Sequence, residues 1–226
     1  MKKVVMITGA SSGIGQATAY AFAKAGYDVI VAHYNDKKNA DTTVKQCLSL
    51  GAPSALLVPL DITNDKSIKS ALAVVKKKYK QIDVLVNDAG VLVFKPFVEQ
   101  KVKDIEFQIR TNLEGTIKFT LAAFPLVKQM IAVVASQAGE MAYPGCSVYG
   151  ATKWGLRGFV KTLAKEQPKI KIIAVNPGGT ATPMSNFQGI PASNVGDLIL
   201  AAAEGKHQVE TGGDIDVWKI YNQASP

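Results

Sequence analysis

Apolar residues along this chain come in short continuous runs, not in the alternating apolar and polar positions of a half-solvated strand. The runs are Val4 to Ile7, Asp28 to Ala32, Ser54 to Pro59, Ile82 to Val86, Ile131 to Ala135, Ile170 to Val175 and Ile215 to Trp218. They are rich in Val, Ile and Leu, the composition of strands covered on both faces. Between them the apolar positions take a helical period over Ala17 to Lys24, about Asn39 to Leu50, and around Ala71 and Val74. The same period covers most of Val98 to Lys128, Tyr149 to about Lys165, and about Asn194 to Glu204. Strand and helix alternate throughout. That order predicts right-handed crossovers and one mainly parallel, doubly wound sheet of about seven strands, with helices on both faces. No break in composition and no internal repeat divides the chain, so residues 1–226 are expected to form a single domain.

Composition fits that picture and narrows it. The 226 residues are 47% hydrophobic and 19% charged, which suits one well-packed α/β domain. Val4 to Ile7 is too short for the apolar core of a secretion signal, and nowhere do eighteen apolar residues run together. Neither a leader nor a membrane span is expected. Cys47 and Cys146 are too few for a disulfide framework, so a reducing, cytoplasmic location is expected. A formal net charge of +8 suits either a nucleic-acid partner or the steering of an anionic cofactor or substrate. The densest cluster, Lys76, Lys77, Lys78 and Lys80, closes a predicted helix, where cations oppose the dipole. The cluster is therefore read as a solvated helix end, and no nucleic acid is expected.

The candidate chemistry sits at strand ends. The first strand runs into Thr8-Gly9-Ala10-Ser11-Ser12-Gly13-Ile14-Gly15 and then a helix. Strand, glycine-rich turn, helix is the arrangement that aims free N–H groups and a positive dipole end at a phosphate. A tight turn with no ligand would use the same residues. The second strand ends in His33-Tyr34-Asn35-Asp36-Lys37-Lys38. In a dinucleotide fold this tip meets the adenosine ribose, where an acid holds a 2′-hydroxyl and a cation accommodates a 2′-phosphate. His33 holds the tip and no acid precedes Asp36. This favours NADP(H), with NAD(H) as the alternative, and makes His33, Asn35 and Lys37 candidate partners unless His33 merely ends a strand.

Asp61 either accepts a bond from an adenine amino group or caps the next helix, a role for which Asn64 and Asp65 compete. Asn87-Asp88-Ala89-Gly90 ends the fourth strand, where open α/β sheets bind ligands. Asn112 lies mid-helix against its propensity, so either solvent or a local distortion is expected there. Ser136 ends the fifth strand. Tyr149 and Lys153 stand four residues apart on one helical face. An ammonium there is expected to favour the phenolate and lower a phenol pKa that is ordinarily about 10.

Taken together, these residues resemble the short-chain dehydrogenase/reductase family in its compact single-domain, Rossmann-like form, over about residues 3 to 218. Thr8 to Gly15 matches its T-G-x-x-x-G-x-G turn, and Asn87-Asp88-Ala89-Gly90 its N-N-A-G with Asp88 for the second Asn. Asp61 matches its adenine-contacting Asp, and Pro177-Gly178 with Thr182 its P-G-x-x-x-T. Asn112, Ser136, Tyr149 and Lys153 match its catalytic tetrad.

The resemblance implies reduction of a ketone or aldehyde with Tyr149 as general acid, or alcohol oxidation with Tyr149 as base. Lys153 would lower the Tyr149 pKa and hold the nicotinamide ribose. Ser136 would bond the substrate oxygen, and Asn112 would position a relay water. The cofactor set it implies is Gly9, Ser11, Ser12, Gly13, Ile14, Gly15, His33, Tyr34, Asp61, Ile62, Asn87, Ala89, Gly90, Tyr149, Lys153, Pro177, Gly178, Thr180 and Thr182. No metal site is expected. The implied partners are a small carbonyl or alcohol substrate and a second copy of the chain, as a homodimer or homotetramer.

Three departures from the family stand out. Asp88 adds an acid. Only Pro183 to Ser193 separates Thr182 from the last helix, a short lid that predicts an open pocket. The tail Val209 to Trp218 lacks the glycine-ended strand common in fatty-acid ketoreductases. Met141, Tyr143, Cys146, Met184 and Phe187 are candidate pocket walls, and Trp154 and Phe159 are expected in the core or a subunit interface.

Overall fold

The structure is a computed structural model that describes residues 3–222. The first half runs β1 (Val4–Thr8), α1 (Gly13–Lys24), β2 (Asp28–His33), α2 (Lys37–Ser49), β3 (Ala55–Pro59), α3 (Asp65–Tyr79) and β4 (Ile82–Asn87). It continues with α4 (Val102–Gln108), a π-helical stretch at Ile109–Gly115, α5 (Thr116–Ala123), β5 (Val127–Val134) and α6 (Ser147–Glu166). The chain then forms β6 (Lys171–Asn176), two short strands β7 (Thr180–Ala181) and β8 (Ile190–Pro191), α7 (Ala192–Ala203), β9 (Asp214–Asp216) and α8 (Val217–Asn222).

Seven strands form one sheet in the order β3-β2-β1-β4-β5-β6-β9, every pairing parallel, while β7 and β8 pair apart from it. The continuous apolar runs have their explanation here. Met6, Ile30, Leu85 and Ile131 face α3, α5 and α6, while their neighbours Ile7, Val31, Val86 and Ala132 face α1, α2 and α7. Both faces are covered, so the central strands are apolar over most of their paired length. The strand order reverses between β1 and β4, and their register sets Thr8 beside Asn87. A crevice therefore opens over those two carboxyl ends.

Four boundaries differ from the sequence reading. Helix α1 begins at Gly13, so the last glycines of the turn are its first helical turn. The helical stretch expected to reach Lys128 stops earlier. Pro125 sits in a 3₁₀ turn at Phe124–Leu126, and β5 starts at Val127, where it pairs with Ile82. The last strand, expected to run to Trp218, ends at Asp216, because its partner β6 ends at Asn176 opposite it, and α8 follows. The small β7–β8 pairing was not foreseen. The basic cluster does close α3, with Lys76, Lys77 and Lys78 in its last turn and Lys80 after it. Tyr79 within the cluster turns inward, its hydroxyl 2.8 Å from Ser54 Oγ. Among the described residues, no helix is long and apolar enough to cross a membrane.

Candidate active site

A cavity of about 720 Å³ fills the crevice. Gly9 enters it with φ +69°, a conformation open to glycine, and the Ala10 N–H is tied to the Ala32 carbonyl at 3.1 Å. Ser12 is the N-cap of α1 but makes no side-chain cap bond, and the first turn carries no acid. The leading N–H groups of α1 are thus left without a side-chain acceptor from their own helix, and Ser11, Ser12, Gly13 and Ile14 line the cavity. A dinucleotide fits these residues. The cavity has room for it, and a turn of three glycines ends on a helix start that presents a positive dipole.

Of the other expected cofactor residues, Gly9, Tyr34, Asp61, Ile62, Ala89, Gly90 and Thr182 also line the cavity. Asn64 caps α3 by accepting the Ser67 N–H, so Asp61 is not the cap. The Asp61 carboxylate accepts from the Thr63 N–H and hydroxyl while facing the cavity. Eight expected residues are not in its lining: Tyr149 and Lys153, which lie beyond Gly90, and six that stand further back. His33 is the main correction. Strand alternation gives Ala32 and Tyr34 to the cavity and buries His33 on the opposite side, near Asp36, Lys37 and Asp41. Burial lowers its pKa, and neither ring nitrogen has a hydrogen-bond partner among the described residues.

Asn87 is also buried, its Nδ2 donating to Thr120 Oγ1 at 3.0 Å. The Pro177 carbonyl accepts the Gln137 N–H at 2.7 Å, and Thr180 Oγ1 donates to the Gly178 carbonyl at 3.0 Å. Gly178 packs so closely on Trp218 that a Cβ would lie 2.9 Å from that side chain. Gly15 sits behind the turn, where a Cβ would lie 2.5 Å from the Gly9 carbonyl oxygen. The wall contributed by α4 and the π-helical stretch, including Lys103, Phe107 and Arg110, was missed. No motif marks it; only the fold brings it over the crevice.

The expected catalytic groups meet at the Gly90 end of the cavity. Lys153 Nζ is buried 5.5 Å from the Tyr149 ring centroid and donates to the Val134 carbonyl at 2.8 Å. Gly90, in the cavity wall, separates the cavity from both: a Cβ there would lie 3.6 Å from that ammonium and 3.3 Å from Asn112 Oδ1. Ser136 Oγ accepts the Ala138 N–H at 3.1 Å, which orients it, and its hydroxyl is the hydrogen-bonding side chain that pulls the Tyr149 pKa down. Asn112 is fully buried in the π-helical stretch, so distortion and not solvent is the outcome. Its Oδ1 accepts the Val91 N–H and its Nδ2 donates to the Val91 carbonyl, both at 2.8 Å, and also to Thr152 Oγ1 at 3.2 Å. Asn112 thus ties the loop after β4 to α6.

The electrostatics overturn one expectation. Burial pushes the Tyr149 phenol up to about 12, against the pull of the Ser136 hydroxyl. Burial also brings Lys153 down to about 8, against the pull of Asp88. Desolvation, not the neighbouring ammonium, dominates the phenol. Behind Ser136, Arg157 Nη1 donates to the Gly139 carbonyl at 2.7 Å and Nε to Asp214 at 2.9 Å. Asn176 Nδ2 donates to Asp214 and Asp216 at 3.0 and 2.8 Å, which fastens the Ser136 loop to the β6–β9 edge. The lid is short, as read: a 3₁₀ turn at Pro183–Ser185, then β8 and α7. Met184 and Phe187 stand exposed on it.

A parallel sheet with its cavity at the strand-order reversal, and a tyrosine–lysine pair at the cavity's end, define a nicotinamide-dinucleotide-dependent oxidoreductase. The sequence profile described as short chain dehydrogenase matches residues 3–190. The chain is 39% identical over 189 residues to a 3-oxoacyl-(acyl-carrier-protein) reductase of Thermotoga maritima, covering 81% of this chain and 76% of that one. It is 34% identical to an NADP-dependent 3-hydroxy acid dehydrogenase of Schizosaccharomyces pombe, over 81% of this chain and 73% of that one. Among solved structures, a short chain dehydrogenase of Burkholderia cenocepacia in complex with NADP superposes with a TM-score of 0.86 at 25% identity, over 94% of this chain and 95% of that one. The chain belongs to the short-chain dehydrogenase family, whose members interconvert CH–OH and C=O groups with NAD(P).

Proposed function

We propose that this chain reduces a ketone or aldehyde to an alcohol, with NADPH as preferred cofactor and Tyr149 as general acid. The observation that carries the reading is the Tyr149–Lys153 pair, 5.5 Å apart at the Gly90 end of a dinucleotide-sized cavity. When bound, the reduced nicotinamide supplies the hydride. Tyr149, neutral at pH 7, gives its proton to the carbonyl oxygen as that oxygen gains charge. Ser136 donates a hydrogen bond to the same oxygen. Lys153 holds the ribose, and its charge offsets the phenolate that Tyr149 becomes.

The wall beside the β2 tip supports NADPH. Tyr34 faces the cavity there, and Asp36 is occupied in capping α2, where it accepts the Asn39 N–H. The residues of this tip that line the cavity, Ala32 and Tyr34, include no acid to repel a 2′-phosphate. The short lid and its exposed Met184 and Phe187 support an open pocket for bulky, apolar carbonyl compounds. Exposed Val102, Leu121 and Trp154, on α4, α5 and α6, support a homo-oligomer.

The test is NADPH oxidation against a panel of ketones and aldehydes, repeated with Tyr149→Phe. That variant is expected to lose about 10²–10⁴-fold in kcat with NADPH affinity within about twofold. Unchanged turnover would remove Tyr149 as the acid.

A further inference from the structure

The loop that closes β4 carries an acid that the proposed reaction does not use. The N–H groups of Asp88 and Ala89 both donate to Thr8 Oγ1, at 3.0 Å each, and these two hydrogen bonds to β1 fix the loop. So held, the Asp88 carboxyl turns onto the start of α1, where the Gly15 N–H pulls its pKa down. Its Oδ2 comes so close that a Cβ on Gly15 would lie 2.7 Å away. Asp88 lines the same cavity as Ser11, Ser12 and Gly13. It therefore sits against the positive dipole end that α1 offers to an anion. The charged or titratable groups that face it are Lys153 and Tyr149, both from α6; β1 contributes only the Thr8 hydroxyl and α1 only the Gly15 N–H. Among the described residues it forms no ion pair within 4.0 Å.

We propose that Asp88 couples dinucleotide binding to the uptake of a proton: a carboxylate here repels a diphosphate docking at the start of α1, so the dinucleotide binds the form whose Asp88 is neutral. The inference rests on the reading that this chain binds a nicotinamide dinucleotide, and it goes beyond that reading in assigning a role to Asp88. Burial pushes this carboxyl up to about 7 against the pull of Lys153 and the Gly15 N–H, so both forms are populated near neutrality. Two further negative charges in the same cavity push it higher. Affinity is then constant well below pH 7 and falls about tenfold per pH unit above it. Between pH 6 and 7.5 the Kd rises about fourfold. Lys153, brought to about 8, loses its charge mainly above this window.

The experiment is fluorescence titration of the intact protein with NADPH and with NADH from pH 6 to 7.5, for the wild type and Asp88→Asn. The amide keeps an oxygen for the Gly15 N–H but cannot ionise. A phosphomonoester itself titrates near pH 6, so the two proteins are compared with the same dinucleotide. The wild type is expected to weaken about fourfold and Asp88→Asn less than about 1.5-fold. Calorimetry with NADH at pH 7, in two buffers of different ionisation enthalpy, reads uptake directly and needs no variant. About half a proton is expected for the wild type. A wild-type affinity that is flat with pH, no proton uptake, or an unchanged slope in Asp88→Asn overturns the inference while leaving dinucleotide binding intact. Absence of binding by the wild type at every pH refutes the dinucleotide reading, and the inference falls with it.

Discussion

A methyl group at position 15 probes how tightly the cofactor turn is built. In Gly15→Ala the new Cβ would lie 2.5 Å from the Gly9 carbonyl oxygen and 2.7 Å from Asp88 Oδ2. An ordinary carbon–oxygen contact is about 3.3 Å or more, so each overlap is roughly 0.6–0.8 Å. Neither oxygen moves freely. Gly9 is fixed by its neighbour's bond to Ala32, and Asp88 by the bonds of its loop to Thr8. Overpacking of this kind costs about 1–3 kcal/mol. Replacing a helical glycine by alanine returns about 1 kcal/mol, so the net loss is up to about 2 kcal/mol. At about 2–4 °C per kcal/mol for a chain of this size, the melting temperature falls by up to about 8 °C. Dinucleotide affinity is expected to fall at least about tenfold, because relief of the clash displaces the turn that cradles the diphosphate. Gly158→Ala is the control. It lies within α6 with nothing inside 4 Å of its Cβ, and is expected to raise stability by about 0.5–1 kcal/mol without changing binding. Both variants are followed by thermal unfolding and NADPH titration. If Gly15→Ala melts at the wild-type temperature and binds NADPH equally well, the close contact of turn, helix and Asp88 is not what shapes this site.

Two further outcomes are expected. Asn112→Ala leaves the half-buried Val91 N–H and carbonyl without their 2.8 Å partners and should cost about 1–3 kcal/mol in urea unfolding. A loss below about 0.5 kcal/mol would mean that this side chain does not hold the loop. Asp214 gives a pH test. Burial alone would raise it, but hydrogen bonds from Arg157, Lys161 and Asn176 outweigh burial and bring it down to about 2. A carboxyl depressed in the fold stabilises the protein above its unfolded value of about 3.9. That contribution should disappear as pH falls from about 4 to 2, and Arg157→Leu should flatten the loss; equal acid sensitivity of the two proteins would refute the role of Arg157.

The parts of the fold legible in the sequence were those that one physical constraint governs. A strand buried on both faces has to be apolar throughout, so seven runs gave seven strands. The glycine turn was legible because few residue types close it. The boundaries failed where the deciding contact was distant: β9 stops because β6 ends opposite it, a fact held in Asn176 and not in Ile215 to Trp218. His33 was misread for a related reason. Its place at a strand tip is written in the sequence, but which side of the sheet meets the cavity is decided by how α2 and the glycine turn flank it. The α4 wall, with Lys103, Phe107 and Arg110, has no periodic signature that separates it from a solvated helix face.

Four-residue spacing establishes that a phenol and an ammonium can meet, and here they do. It does not establish which of them gives way, because that depends on how much water each has lost. Lys153 is buried with the Val134 carbonyl as its acceptor, and Tyr149 is half-buried with the Ser136 hydroxyl as its hydrogen-bonding neighbour. Desolvation disfavours the charged form of each, so the phenol stays protonated up to about pH 12 while the ammonium weakens near 8. A site in that condition holds its proton on the phenol and has a nearby cation ready to receive the charge once the proton leaves. The four-residue spacing alone predicts a lowered phenol pKa; the loss of water around Tyr149 reverses that, so the proton rests on the phenol while Lys153 stands by to offset the charge left when it departs.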